Sequence, residues 1–330
     1  MARLNLPHAS DPPDKRLSPD VSETYAARVV VAYGGHGVVR LEDGHRLECA
    51  FRRGVGRPFC GDFVEVSVSA SGQAAVESIV PRRNHFDRAD AQLRRQTVAA
   101  NLDRVLVVVA PNPAPSRDLL DRYLVAVHNL NMMPVIVFNK CELPVDGPDA
   151  PLNTLHRLPQ YAELGYPVVR TSCKSEPGIS ALKPYVSEGT SILVGQSGVG
   201  KSSLARRLLP DMEIQIGALS RATGKGTHTT TTTTLYPLPE GGDLIDSPGV
   251  WEFGLWAMTR DDIMHGFPEF APWLGQCRFH NCLHLREPGC AIKQAVADGA
   301  LHDWRYGAYV RLQQSNGDRP EDGRAGRKPV

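Results

Sequence analysis

Eight consecutive residues constrain this chain more than any others: Gly195-Gln196-Ser197-Gly198-Val199-Gly200-Lys201-Ser202. They read G-x-x-x-x-G-K-S, the pattern of a loop that cradles phosphates. The apolar run Ser191-Ile192-Leu193-Val194 before it suits a buried strand. The run from Ser203 to Leu209 has helical spacing, and Pro210 stops it. A glycine-rich turn of no special purpose needs neither neighbour. Between a strand and a helix, the glycines let several N–H groups converge on one phosphate, and the helix N-terminus adds partial positive charge. Gly195 to Ser203 are therefore candidate phosphate contacts. Lys201 is placed to reach the β- and γ-phosphates, and the Ser202 hydroxyl to ligate Mg²⁺.

A chain of 330 residues has room for two or three domains, and 42% apolar residues can build real cores. A formal net charge of +1 gives no global pull toward nucleic acid, so any basic patch is local. No apolar run is long enough to span a bilayer, and the N-terminus lacks the apolar segment of a signal peptide. The expectation is a soluble, cytoplasmic monomer with no membrane partner. The seven cysteines are an odd number, and three lie close together near the C-terminus. That distribution suits metal chemistry rather than a disulfide framework.

Residues 1–24 are polar and Pro-rich and read as a disordered arm, either a simple leader or an RNA-touching tail. Residues 25–80 carry five short strand patterns separated by turn signals such as Gly34-Gly35 and Asp43-Gly44. They fit a small barrel of the OB type. Arg40, Arg46, Arg52, Arg53 and Arg57 lie in or near its strands, as an RNA contact or as a solvated charged face. Residues 81–100 read as an arginine-rich connector, a plain linker or part of the same contact.

From residue 101 to 260 the pattern changes. Continuous apolar runs, Val105 to Val109 and Pro134 to Phe138, alternate with helical stretches, and Val168 to Thr171, Ser191 to Val194 and Asp243 to Ile245 follow. Strands covered on both faces and alternating with helices imply a doubly wound α/β sheet. Ligands of such sheets bind at the carboxyl ends of the strands.

The residues just after those strands fit that rule. Asn139-Lys140-Cys141-Glu142 resembles the guanine-reading Asn-Lys-x-Asp motif of GTPases, with Glu142 where Asp is usual. There the Asn amide bonds the base and the carboxylate accepts two hydrogen bonds from it. Ser172-Cys173-Lys174 stands where GTPases carry Ser-Ala-Lys, whose backbone N–H donates to guanine O6. Asp246-Ser247-Pro248-Gly249 resembles the Asp-x-x-Gly switch, in which the Asp orders Mg²⁺ and the Gly N–H contacts the γ-phosphate. Between the phosphate loop and this switch lies a Gly- and Thr-rich loop through Thr234, in which Thr230 is the candidate to complete the Mg²⁺ shell. Ordinary GTPases begin with the phosphate loop and end with the base-reading motifs. Here both base-reading motifs precede it, as in a circularly permuted GTPase. An ATP-using kinase of the same loop class is disfavoured by Asn139-Lys140 and Ser172.

Residues 261–314 read as a helical zinc-binding domain. Cys277-x4-Cys282-x-His284-x5-Cys290 offers three thiolates and an imidazole, a closed four-ligand set that leaves no open position, so the zinc is expected to be structural. His280 competes with His284 for the fourth place. Helical spacing runs from about Gly299 to Leu312, and residues 315–330 read as a disordered tail.

A small barrel, a permuted GTPase domain and this Cys₃His spacing together resemble the bacterial ribosome small-subunit-dependent GTPase family. The shared stretches run from Gly226 to Thr231, Asp246 to Val250, Glu252 to Leu255 and Glu287 to Cys290. The resemblance implies GTP hydrolysis to GDP stimulated by the 30S subunit, a role in its late maturation, and 16S rRNA contacts by the barrel and the zinc domain. Val250 stands where many GTPases place a water-orienting Gln, and the resemblance puts His228 in that role, beside Lys201 as the charge-neutralising catalytic group. The competing reading is a nucleotide-switched rRNA-binding module whose hydrolysis is incidental.

Overall fold

The computed structural model describes residues 23–89, 95–145, 154–211, 233–247 and 258–317. Five strands come first among the described residues: β1 (Glu23–Ala32), β2 (His36–Leu41), β3 (Arg46–Phe51), β4 (Phe63–Val68) and β5 (Ala74–Ile79). β1 pairs with β2, β2 with β3, β3 in parallel with β5, β5 with β4, and β4 returns to β1. The sheet therefore closes on itself, which removes its edges. Val29, Val39, Cys49, Val64, Val66 and Val76 fill the interior. β1 carries a bulge between Val29 and Val31. The extra residue reverses which face the side chains meet. Val29 stays in the barrel, while Val30 and Val31 enter the core beneath the next domain.

A hairpin of β6 (His85–Ala89) and β7 (Arg95–Ala100) follows. The stretch read as a connector is thus partly strand. Phe86, Val98 and Ala99 are buried in the same core as the central sheet, so this segment is packed rather than free.

The central sheet is built from β8 (Arg104–Val109), β9 (Val135–Phe138), β10 (Val168–Arg170), β11 (Thr190–Val194), β12 (Thr234–Pro237) and β13 (Asp243–Asp246). Its order is β10-β9-β8-β11-β13-β12, parallel except for β12. Helices α1 (Leu119–His128), α2 (Leu158–Glu163) and α3 (Lys201–Leu208) cover it. β8 shows why its sequence is continuously apolar. Val105, Val107 and Val109 enter the core on one face, Leu106 and Val108 the core on the other. β12 extends the sheet beyond the parallel set and meets β1 of the barrel at Val31 and Thr234. Barrel and central domain thus share one hydrogen-bonded sheet.

Ion pairs reinforce that seam. Arg40 grips Asp243 with two bonds, of 2.7 and 2.8 Å, and Arg28 adds a third of 2.9 Å. Arg82 holds the fully buried Asp62 through bonds of 2.7 and 2.8 Å. Arg40, one of the arginines considered for an RNA face, is therefore committed to the domain seam. Arg52 pairs with Glu77 at 2.9 Å.

The C-terminal part holds α4 (Arg260–His265), α5 (Ala291–Ala297) and α6 (Asp303–Gly317). Thr259 and Asp262 form a reciprocal cap at the start of α4, which satisfies two otherwise unpaired N–H groups. α6 runs past Leu312, so the helix includes residues read as tail. The core of this part takes in Val125 and Ala126 of α1. Leu120, Tyr123, Leu124 and Val127 of the same helix face the sheet. α1 is buried on both sides, and the C-terminal helices are seated on it. Arg305 of α6 is completely buried in that seam. It pairs with Asp121 of α1 and with Glu269, lies 4.2 Å over the Phe267 ring, and bonds the Tyr166 hydroxyl at 3.4 Å. Asp121 also accepts from the Tyr161 hydroxyl at 2.7 Å. Among the described residues no helix is long and apolar enough to cross a membrane.

Removing a buried charge leaves its partners desolvated and unpaired. Arg305→Met should therefore lower unfolding stability by about 3–5 kcal/mol, measured by denaturant titration. A loss below ~1 kcal/mol would show that the two carboxylates do not need the guanidinium.

Candidate nucleotide-binding site

The strand order places the motifs. At the carboxyl ends of β10, β9, β11 and β13 stand the Ser172 loop, the Asn139 loop, the Gly195–Ser202 loop and Asp246. Motifs far apart in sequence become neighbours along one sheet edge, with the Asn139 and Ser172 loops on one side and Asp246 on the other.

The phosphate loop needs its glycines. Gly195, Gly198 and Gly200 have φ values of 144°, 80° and 98°, a region other residues avoid. A Cβ on Gly195 would sit 2.2 Å from the Val108 carbonyl oxygen, and one on Gly200 would sit 2.3 Å from Asn139 Nδ2. The loop is folded down onto β8 and against the base-reading motif at once. Gly200 then caps α3 in a left-handed conformation, so Lys201, Ser202 and Ser203 form its first turn. Lys201 is buried, and its ammonium donates to the carbonyls of Gly195 at 2.8 Å and Gln196 at 2.5 Å. Burial lowers its pKa to about 8. A phosphate beside it would raise that value again, because an anion favours the charged form.

Asn139 and Lys140 tie this loop to the end of β9. The Asn139 amide donates to Val199 O at 2.8 Å, and its oxygen accepts from the Thr171 hydroxyl at 3.1 Å. Lys140, held in a left-handed conformation (φ 55°), donates to Gly198 O and Asn112 O, both at 2.7 Å. Its stem therefore bridges the phosphate loop. Glu142 is exposed next to it, and Cys141 packs against the sheet core. The Ser172 hydroxyl accepts from the N–H groups of Lys174 and Ser175 at 3.1 and 3.0 Å, which curls the loop after β10.

The loop after β8 was not singled out by sequence reasoning. Gln196 Nε2 donates to Pro113 O and Ala114 O at 3.1 Å, and Asn112 O accepts Lys140. Its position after a buried parallel strand and its Pro111-Asn112-Pro113-Ala114-Pro115 composition were the available signal.

Asp246 ends β13 half-buried, and burial raises its carboxyl pKa. A neighbouring cation would reverse that shift. Ser247 Oγ lies 2.6 Å from Thr233 Oγ1, tying the switch strand to the end of the Thr-rich loop. His228, Thr230 and Gly249 lie outside the described residues, as does Val250.

The second cluster is Cys277, Cys282, His284 and Cys290, whose donor atoms all lie within 4.8 Å of one another. His284 Nδ1 stands 3.4 Å from the sulfurs of Cys277 and Cys290, and those sulfurs are 3.9 Å apart. Metal bonds of about 2.3 Å to sulfur and 2.0 Å to nitrogen give tetrahedral edges of roughly 3.5–3.8 Å, so the four donors fit a metal ion. His284 takes a left-handed backbone (φ 58°), and its carbonyl accepts from the Tyr306 hydroxyl at 2.8 Å. Burial pushes its imidazole toward the neutral form, the form that ligates. Glu287 sets the loop. Burial would raise its pKa, but its own N–H and those of Leu283, Leu285 and Arg286 hold it down at about 2. His280 is exposed and outside the cluster.

The model of the RsgA GTPase family matches residues 79–256. The chain is 46% identical over 290 residues to the small ribosomal subunit biogenesis GTPase RsgA of Chromohalobacter salexigens, covering 86% of this chain and 84% of that protein. It is 40% identical to the protein of the same name from Pseudomonas aeruginosa, with 90% and 87% covered. Among solved structures, YjeQ from Thermotoga maritima superposes with a TM-score of 0.72 at 30% identity, covering 90% of this chain and 100% of that one. YloQ, described as a circularly permuted GTPase, gives 0.69 at 27% identity, with 92% and 99% covered. The chain belongs to the RsgA GTPase family and is a GTP-hydrolysing enzyme.

Proposed function

We propose that this enzyme is a ribosome-biogenesis GTPase that acts on the small subunit late in its maturation and is stimulated by it. The observation that carries the reading is the convergence of Asn139, Lys140, Ser172 and the Gly195–Ser202 loop on one sheet edge. The relatives' shared name supplies the ribosomal context. The nucleotide would lie with its base between the Asn139 and Ser172 loops, Glu142 accepting from the ring N–H and exocyclic amine, and its phosphates over Gly195 to Ser203. Ser202, Thr230 and Asp246 would hold Mg²⁺, directly or through water. When bound, Mg²⁺ neutralises developing charge on the phosphates.

Phosphoryl transfer to water depends on positioning and charge neutralisation. Lys201 and the loop N–H groups supply the second. In our reading His228 orients the attacking water, and Gly249 senses the γ-phosphate. A histidine titrates near neutrality and can carry a proton as well as orient one. The barrel (residues 25–80) and the C-terminal unit (residues 261–314) would contact 16S rRNA on either side of the permuted GTPase domain (residues 101–260). The protein would act as a cytoplasmic monomer.

The metal at Cys277, Cys282, His284 and Cys290 is zinc in this reading, since three thiolates and one imidazole form a standard closed zinc set. Metal analysis of purified protein should find one zinc per chain, lost together with the fold of this unit in Cys277→Ser. A metal-free protein with an intact C-terminal unit would contradict it.

Turnover of GTP titrated with purified 30S and 50S subunits tests the function. The 30S subunit should raise the rate by at least ~100-fold, the scale on which positioned groups act. The 50S subunit should not, and His228→Ala should lose most of the stimulation. No response to 30S would refute the proposal. An intact response in His228→Ala would refute the role of that residue alone.

A further inference from the structure

The Ser172–Lys174 loop carries a contact from a residue outside the motif. Three of its polar groups are tied within the loop. Ser172 N–H donates to Gly178 O at 2.9 Å, and the N–H groups of Lys174 and Ser175 donate to Ser172 Oγ. The Cys173 carbonyl points the other way and accepts from the Arg207 guanidinium at 2.8 Å. The peptide unit between Cys173 and Lys174 is thus pinned at both ends, by Ser172 Oγ at its N–H and by Arg207 at its oxygen. The Cys173 N–H keeps no partner among the described residues. It is the group that the base-reading role requires to be free.

Arg207 belongs to the last turn of α3, the helix that begins at Lys201. One eight-residue helix therefore touches the phosphate loop at one end and the base loop at the other. Arg206 beside it is exposed, as Arg207 is, but has no partner among the described residues. We propose that Arg207 is a positioning residue for base selection, holding the Cys173 N–H where it meets the O6 of a 6-keto purine. This rests on the reading that the Ser172 loop contacts the base. The chemistry makes the effect specific. Guanine and hypoxanthine present an acceptor at that atom, whereas adenine presents an amine, a donor facing a donor. A displaced loop costs affinity only for the purines that accept.

The test is equilibrium binding of GDP, IDP and ADP to wild type, Arg207→Met, Arg207→Lys, Arg206→Met and Asn139→Ala, with melting midpoints alongside. A bond from a charged donor predicts that Arg207→Met weakens GDP and IDP equally, on the order of tenfold, and leaves ADP unchanged. Lysine offers a point donor without the planar fork, so Arg207→Lys should recover part of the loss. Arg206→Met should match wild type. In steady state the loss should appear in KM for GTP rather than in kcat. An unchanged ratio of GDP to ADP affinity in Arg207→Met overturns the proposal. So does an equal loss for all three nucleotides, which would mean a loosened phosphate helix. If wild type fails to prefer GDP over ADP, or Asn139→Ala binds GDP as wild type does, the base-site reading itself fails.

Discussion

The ladder between β8 and β11 is the constraint on which the site depends. Ser191 to Val194 pair in parallel with Arg104 to Val107. β8 pairs in turn with β9, from Leu106 beside Val135 to Val109 beside Phe138. These registers bring Asn139 alongside Gly195–Ser202, although the chain reaches one long before the other. A parallel pair needs a long crossover wherever the chain is cut. The same sheet can therefore be assembled from a permuted chain without changing which loops meet at its carboxyl edge. Permutation alters what is attached to the ends of the domain and leaves the order of loops along that edge alone.

What is attached is fastened firmly on both sides. The barrel shares a sheet with β12 and sends two arginines to Asp243, at the start of the strand that ends in Asp246. The C-terminal helices sit on α1, with Arg305 buried between Asp121 and Glu269. Separating either seam would expose charges that are now paired and partly desolvated. The C-terminal helices are thus anchored through the helix that follows β8, besides their chain connection to the switch strand. Any signal from Asp246 toward them must act against that anchorage or move α1 with it.

Much of this was legible in the sequence, for reasons that are local. Glycines at forced left-handed positions, apolar strands buried on both faces, and Cys/His spacings are short-range requirements, and each located its element to within a few residues. The five barrel strands and the clustering of Cys277, Cys282, His284 and Cys290 are legible in this way. What stayed hidden depends on pairing over distance. Nothing near Arg40 announces Asp243, some two hundred positions away. Nothing near Arg305 announces Asp121. A basic residue in a strand looks the same whether its partner is a phosphate or a carboxylate. The hairpin at β6 and β7 reads as a connector because its polar residues outnumber Phe86, Val98, Ala99 and Ala100, its buried apolar residues among those described. The brace formed by Asn112, Pro113 and Ala114 escaped because backbone carbonyls carry it, and they leave no mark on residue type.

In the proposed function, loops from both halves of a permuted domain form one guanine-nucleotide site. A crystal structure with GDP and Mg²⁺ bound tests it most directly. The guanine edge should lie between Asn139 and the Cys173 N–H, the phosphates over Gly195 to Ser202, and Mg²⁺ at the Ser202 hydroxyl. A base lying outside the Asn139 and Ser172 loops, with the phosphates still on the Gly195 loop, would contradict it.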